Sequence, residues 1–104
     1  METLLLVDDD VSLLESLTLH FEEAEKDGQP RFQVVTATTG AAGLEKAREH
    51  APALVVLDMM LPDRSGLDLI EDMKAVLEKA KVHLGTAAEM YQAVERQNMS
   101  IWHG

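Results

Sequence analysis

Apolar residues in this chain fall into two patterns that take turns along it. Unbroken runs at residues 4–7 (LLLV) and 54–57 (LVVL) suit strands buried on both faces, as in the interior of a parallel sheet. Between them, residues 32–36 are rich in β-branched side chains and predict another strand. Stripes at three- and four-residue spacing predict helices. The first runs from Val11 to about Ala24, with Leu14, Leu17, Phe21 and Ala24 inward and Glu15, Glu22 and Glu23 opposite. After a turn-rich break at Asp27, Gly28, Gln29 and Pro30, the second helix is marked by Leu44, Ala47 and Ala51 and ends near His50, before Pro52. Ser65 and Asp68 form a capping box for the third, whose expected stripe is Leu67, Ile70, Met73 and Leu77. Strand and helix thus alternate three times. That rhythm predicts an α/β domain, a doubly wound parallel sheet with right-handed crossovers and helices on both faces.

Past Lys79 two readings stay open. Residues 82–84 form a short fourth strand followed by a helix over 87–96, with Met90, Tyr91 and Val94 inward; or residues 68–97 form one long helix, in which Gly85 costs about 1 kcal/mol. The strand reading keeps the alternation. Residues 99–103 suit a last edge strand.

Length and composition narrow the class. At 104 residues with 46% apolar content, the chain holds one core and one domain, residues 1–104. Nineteen acidic residues against nine basic ones give a formal charge of −10 and a pI near 4.6. This disfavours direct binding to nucleic acid and suits a cation or a basic partner surface. With no cysteine, disulfides, thiolate catalysis and sulfur-ligated zinc are excluded. The opening METLLLVDDD lacks the basic segment of a secretory signal, and no stretch reaches the roughly 20 apolar residues that span a bilayer, so a cytoplasmic protein is expected.

The chemistry gathers where strands end. Asp8 and Asp9 follow the first strand and Asp58 follows the third, so adjacent strands would bring all three to the carboxyl edge of the sheet, where ligands collect. Taken alone, Asp8, Asp9 and Asp10 read as an N-cap or first-turn acids of the following helix. Together with Asp58 they read as a site for a hard divalent cation. Mg2+ fits best, with the carbonyl of Met60, two residues beyond Asp58, as a further oxygen ligand. A carboxylate beside such a cation can act as a nucleophile toward phosphorus, and Asp58 is the candidate. His20, His50, His83 and His103 are too scattered for a metal site.

Residues 4–86 resemble the receiver domain of two-component response regulators. The likeness rests on LLLVDDD with an amphipathic helix behind it, and on VVLDMMLPDRSGLDLI. The resemblance implies a flavodoxin-like receiver topology in which Asp8 and Asp9 hold Mg2+, Asp58 accepts a phosphoryl group from a partner histidine kinase or phosphotransfer protein, and Met60 lends its carbonyl to the metal. It also implies a reporting hydroxyl at the end of the fourth strand. Thr86 stands in that place, although Thr86 and Glu89 form a capping box of their own.

Residues 87–104 diverge from the pattern. The family has a lysine at the end of its fifth strand, whereas this sequence has none after Lys81. A weak or missing fifth strand and no fifth helix are therefore expected, with an apolar sheet face left for a homo-oligomer contact through the C-terminal part. Two functional readings follow. In the first, the chain is a phosphoacceptor relay whose only catalysis is assistance to its own phosphorylation and dephosphorylation. In the second, it is a receiver-like interaction or dimerisation module that works without phosphorylation. A general hydrolase is less well supported, since no separate acid–base histidine is evident.

Overall fold

The computed structural model describes residues 2–23, 25–26, 28–77 and 80–85. Strand β1 (Glu2–Val7) leads into helix α1 (Val11–Glu22), and a small antiparallel ribbon follows, β2 (Glu25–Lys26) with β3 (Gln29–Pro30). Then come β4 (Phe32–Ala37), α2 (Gly40–His50), β5 (Leu54–Leu57), α3 (Gly66–Val76) and β6 (Lys81–Leu84). Four strands form one sheet in the order β4-β1-β5-β6, every pair parallel.

The unbroken apolar runs are explained by a sheet covered on both sides. Leu4, Leu6, Leu54 and Val56 point to one face, where Leu14, Leu17 and Phe21 of α1 close over them together with Phe32. Leu5, Val7, Val55 and Leu57 point to the other, against Ala47 of α2 and Leu69 and Met73 of α3. Alternate side chains of a strand face opposite ways, so both sets must be apolar. Full burial of each Leu or Val is worth about 1.5–3 kcal/mol, and these two layers hold the sheet edge in place.

Each main helix starts on a side-chain cap. Asp10 accepts from the Leu13 amide (3.1 Å), Thr39 from that of Ala42 (3.1 Å) and Ser65 from that of Asp68 (3.2 Å). The expected capping serine of the third helix is thus in use. Helix α2 ends at His50, and Ala51, expected on its apolar stripe, is instead an exposed left-handed cap (φ 43°) ahead of Pro52.

Two further expectations change. The inner row of α3 is Gly66, Leu69 and Met73, with Leu77 buried at its cap, while Leu67 is 62% exposed. Gly66 is pinned under the end of β5, and that fixes the rotation of the helix so that Leu67 turns outward. The long-helix reading also fails. Leu77 leaves α3 in an extended conformation, and the chain returns as β6 beside β5. Thr86, the helix over 87–96, the edge strand over 99–103, the weak or missing fifth strand, the absent fifth helix and the oligomer face all lie outside the described residues. Among the described residues, no helix is long and apolar enough to cross a membrane.

Candidate functional site

Val7 is in register with Leu57, so Asp8 and Asp58 leave the sheet side by side. The Asp58 amide donates to the Val7 carbonyl (2.9 Å) and the Asp8 amide to that of Ala37 (3.0 Å), extending the ladder one step past the strands. From β1 the chain crosses to β4 on one side and then returns to β5 on the other. The acids therefore stand at the point where the winding reverses, the place an open α/β sheet offers to ligands.

There the carboxylate oxygens of Asp8, Asp9 and Asp58 lie within 4.8 Å of one another. Asp8 is only 5% exposed, Asp58 is half-buried and Asp9 is exposed. Burial pushes the Asp8 carboxyl above its ordinary range, and the carboxylates of Asp58, Asp9 and Asp10 push the same way. A hydrogen bond from the Asp10 amide to Asp8 Oδ1 (2.9 Å) opposes the shift. Asp10 itself turns away to cap α1, so the N-cap reading applies to that acid and not to its neighbours. Among the described residues, no basic side chain pairs with the cluster. Three converging carboxylates form an all-oxygen donor set, which fits a hard divalent cation.

The loop from β5 to α3 is folded back tightly. Met60 bridges Ser65, the Leu61 amide donates to the Arg64 carbonyl (3.2 Å) and the Gly66 amide to that of Met59 (2.8 Å). A Cβ at Gly66 would collide with the Asp58 carbonyl and with Leu84, so the start of α3 packs directly beneath the acid. Met60 is 80% exposed at this turn. The Gly85 amide donates to the Leu57 carbonyl (3.0 Å), which brings the chain to the same edge one residue before Thr86.

Arg64 does not join the cluster. It pairs with Asp72 on α3 (2.8 Å). The residue missed by sequence reasoning is Asp63, whose two oxygens accept from the amides of Gly40 (2.8 Å) and Ala41 (2.9 Å) at the start of α2. Those bonds hold its carboxyl below the ordinary range. No local pattern announces this contact, because its partners are backbone groups more than 20 residues away.

A family model for the response regulator receiver domain matches residues 4–100. The chain belongs to this family. Among similar proteins, this receiver is 32% identical over 95 residues to the transcriptional regulatory protein KdpE of Mycobacterium tuberculosis, covering 91% of the receiver and 39% of KdpE. It therefore spans well under half of that regulator. It also superposes on a chain in the crystal structure of histidine kinase ThkA in complex with response regulator TrrA (TM-score 0.68, 30% identity, 81% of this chain and 67% of that one). The BeF3-activated DrrB receiver domain is similar too (TM-score 0.65, 31% identity, 81% of this chain and 64% of that one).

Proposed function

We propose that this receiver takes a phosphoryl group onto Asp58 from a phosphohistidine of a partner histidine kinase or phosphotransfer protein, in a Mg2+-dependent reaction, and passes the signal on by protein contacts. The observation that carries this reading is the convergence of Asp8, Asp9 and Asp58 at the reversal point of the sheet. In the transfer, the P–N bond to the partner's imidazole breaks as an Oδ–P bond to Asp58 forms. The electron pair stays on the ring nitrogen, which takes up a proton. Hydrolysis by water later returns inorganic phosphate.

Asp8, Asp9, Asp58 and the Met60 carbonyl would hold the metal. Bound Mg2+ supplies positive charge that offsets the repulsion between a carboxylate and an incoming phosphoryl group. Asp58 is suited to attack because it is half-buried and held by the sheet ladder, which fixes its position beside Asp8. Thr86 would turn its hydroxyl toward the new phosphoryl oxygens.

The partner would dock on a surface next to the site. A groove of about 570 Å³ between α1 and the end of β4 is lined by Val11, Leu14, Glu15, Thr18, Leu19, Thr36 and Thr38, and Val11 and Leu19 are exposed there. The likeness to a chain from a kinase–regulator complex supports a histidine kinase as the partner class.

Intact-mass measurement after incubation with acetyl phosphate tests the reading. A gain of about 80 Da that needs both Mg2+ and Asp58, and is abolished in Asp58→Asn, is expected. A folded wild-type protein that gains no mass beside a working control receiver would favour an interaction module independent of phosphorylation.

A further inference from the structure

We propose that Asp63 is a positioning residue for the acidic site: by closing on the first two amides of α2, it fixes the loop that carries Asp58 and Met60 and so sets the affinity of the cluster for its cation. The inference rests on the metal-dependent phosphoacceptor reading above and deepens it.

The hairpin of residues 60–65 is tied down by three side chains, those of Leu61, Asp63 and Arg64. Leu61 is buried in the cluster with Leu69 and Met73. Arg64 reaches Asp72 on α3, and Asp63 reaches Gly40 and Ala41 on α2. The last tether joins the loop by hydrogen bonds to the start of α2, on the crossover that comes from β4. The contact is closely fitted. A Cβ on Gly40 would lie 2.9 Å from Arg64 Cγ and 3.2 Å from Asp63 Oδ1, so glycine at the head of α2 is what lets the loop approach.

Asp63 is not needed simply to cap the helix. Thr39 already does so through the Ala42 amide, and Asp63 takes the two amides that Thr39 does not reach. A carboxylate accepting two N–H groups at a helix N-terminus makes charge-assisted bonds favoured by the helix dipole. Those bonds hold its carboxyl below the ordinary range. Met60, three residues earlier, is exposed, and its backbone is held by the bridge to Ser65 within the hairpin, so the direction of its carbonyl depends on how firmly the hairpin is held. Groups hydrogen-bonded directly to a metal ligand typically change affinity about 10- to 100-fold when removed; Asp63 acts one step further out, through the loop, so the low end of that range is expected.

The test uses the full chain and three variants: Asp63→Ala, Asp63→Asn and Thr39→Ala. Mg2+ affinity is read from the backbone amides of Asp9 and Asp58 in a 1H–15N titration, folding from thermal melting, and phosphorylation rate from acetyl phosphate at varied Mg2+. Asp63→Ala is expected to weaken Mg2+ about tenfold and to recover a near wild-type rate at saturating Mg2+. Asp63→Asn, which keeps one acceptor, should fall between, and it carries the test should the alanine variant fail to fold. Thr39→Ala removes a cap from the same helix end and should melt earlier while keeping its Mg2+ affinity.

Unchanged affinity in Asp63→Ala, or an equal loss in Thr39→Ala, would overturn the inference and leave the phosphoacceptor reading intact. A wild type that binds Mg2+ more tightly than Asp63→Ala but takes no phosphoryl group would support the inference and sink the reading of Asp58. A wild type that binds no Mg2+ would overturn both.

Discussion

At the amino end of the sheet Arg31 is buried, 7% exposed, yet its guanidinium meets Glu2 at 3.3 Å and lies over the Phe32 ring at 5.2 Å. At the carboxyl end the buried charge is Asp8, and what faces it is Asp9 and Asp58. One edge sets an opposite charge and an aromatic face against its buried charge, although the buried Arg31 Nε has no hydrogen-bond partner among the described residues. The other sets like charges together. The same two layers of leucine and valine support both edges, so the difference lies in the residues just beyond the strands. The amino edge sets opposite charges together, and the carboxyl edge gives up stability where its like charges converge, a repulsion that a divalent cation would relieve.

The largest effect on stability is expected at the compensated edge. Arg31→Ala removes the ion pair, the ring contact and the packing of the side-chain stem. A loss of about 1–3 kcal/mol is expected, reduced from that of a fully buried pair because Glu2 is partly exposed. Urea unfolding measures it, and an unchanged midpoint would remove the contrast between the edges.

The uncompensated edge should respond in the opposite direction. Asp8→Asn keeps an acceptor for the Asp10 amide while removing one of the clustered charges. It should stabilise the Mg2+-free protein by about 1 kcal/mol at neutral pH. The pH dependence follows from the raised ionisation of Asp8. The folded state binds the proton more tightly than the unfolded state, so the contribution is complete below the ordinary value of 3.8 and is lost as pH rises through the folded-state value. Asp63 has the opposite sign. Its contribution is present above 3.8 and is lost as pH falls through its lowered folded-state value. Above pH 3.8, unfolding free energies of Asp8→Asn should therefore fall less, or rise more, with pH than those of wild type.

A smaller gain is available at the amino edge. Ala51 holds a left-handed conformation at the end of α2, which glycine adopts without a Cβ penalty, so Ala51→Gly should add about 0.5–1 kcal/mol. Destabilisation by this change in urea would contradict the cap geometry.

The two edges also differ in how far the sequence reveals them. Asp8, Asp9 and Asp58 could be brought together on paper because each follows an unbroken apolar run, and two such runs in an alternating chain read as neighbouring interior strands. The cap at Ser65 was equally plain, since its partner is three residues away. Arg31 and Asp63 were not, because their partners, Glu2 and the α2 amides, lie 22 to 29 residues off with no periodicity linking them. The face of α3 is ambiguous at Leu67 in the sequence because Leu67, Leu69 and Ile70 are all apolar. Only the tertiary contact of Gly66 with the end of β5 selects among the possible rotations. The β2–β3 ribbon is invisible in the sequence because two-residue strands carry no pattern to read.

The most direct test of the contrast between the edges is the melting temperature of wild type and Asp8→Asn as Mg2+ is raised at constant ionic strength. Wild type should begin less stable than the variant and gain steadily with Mg2+, as a ligand that binds only the folded state requires, while Asp8→Asn should respond weakly. A wild-type melting temperature that does not depend on Mg2+, or an Asp8→Asn protein that starts out less stable than wild type, would contradict the account.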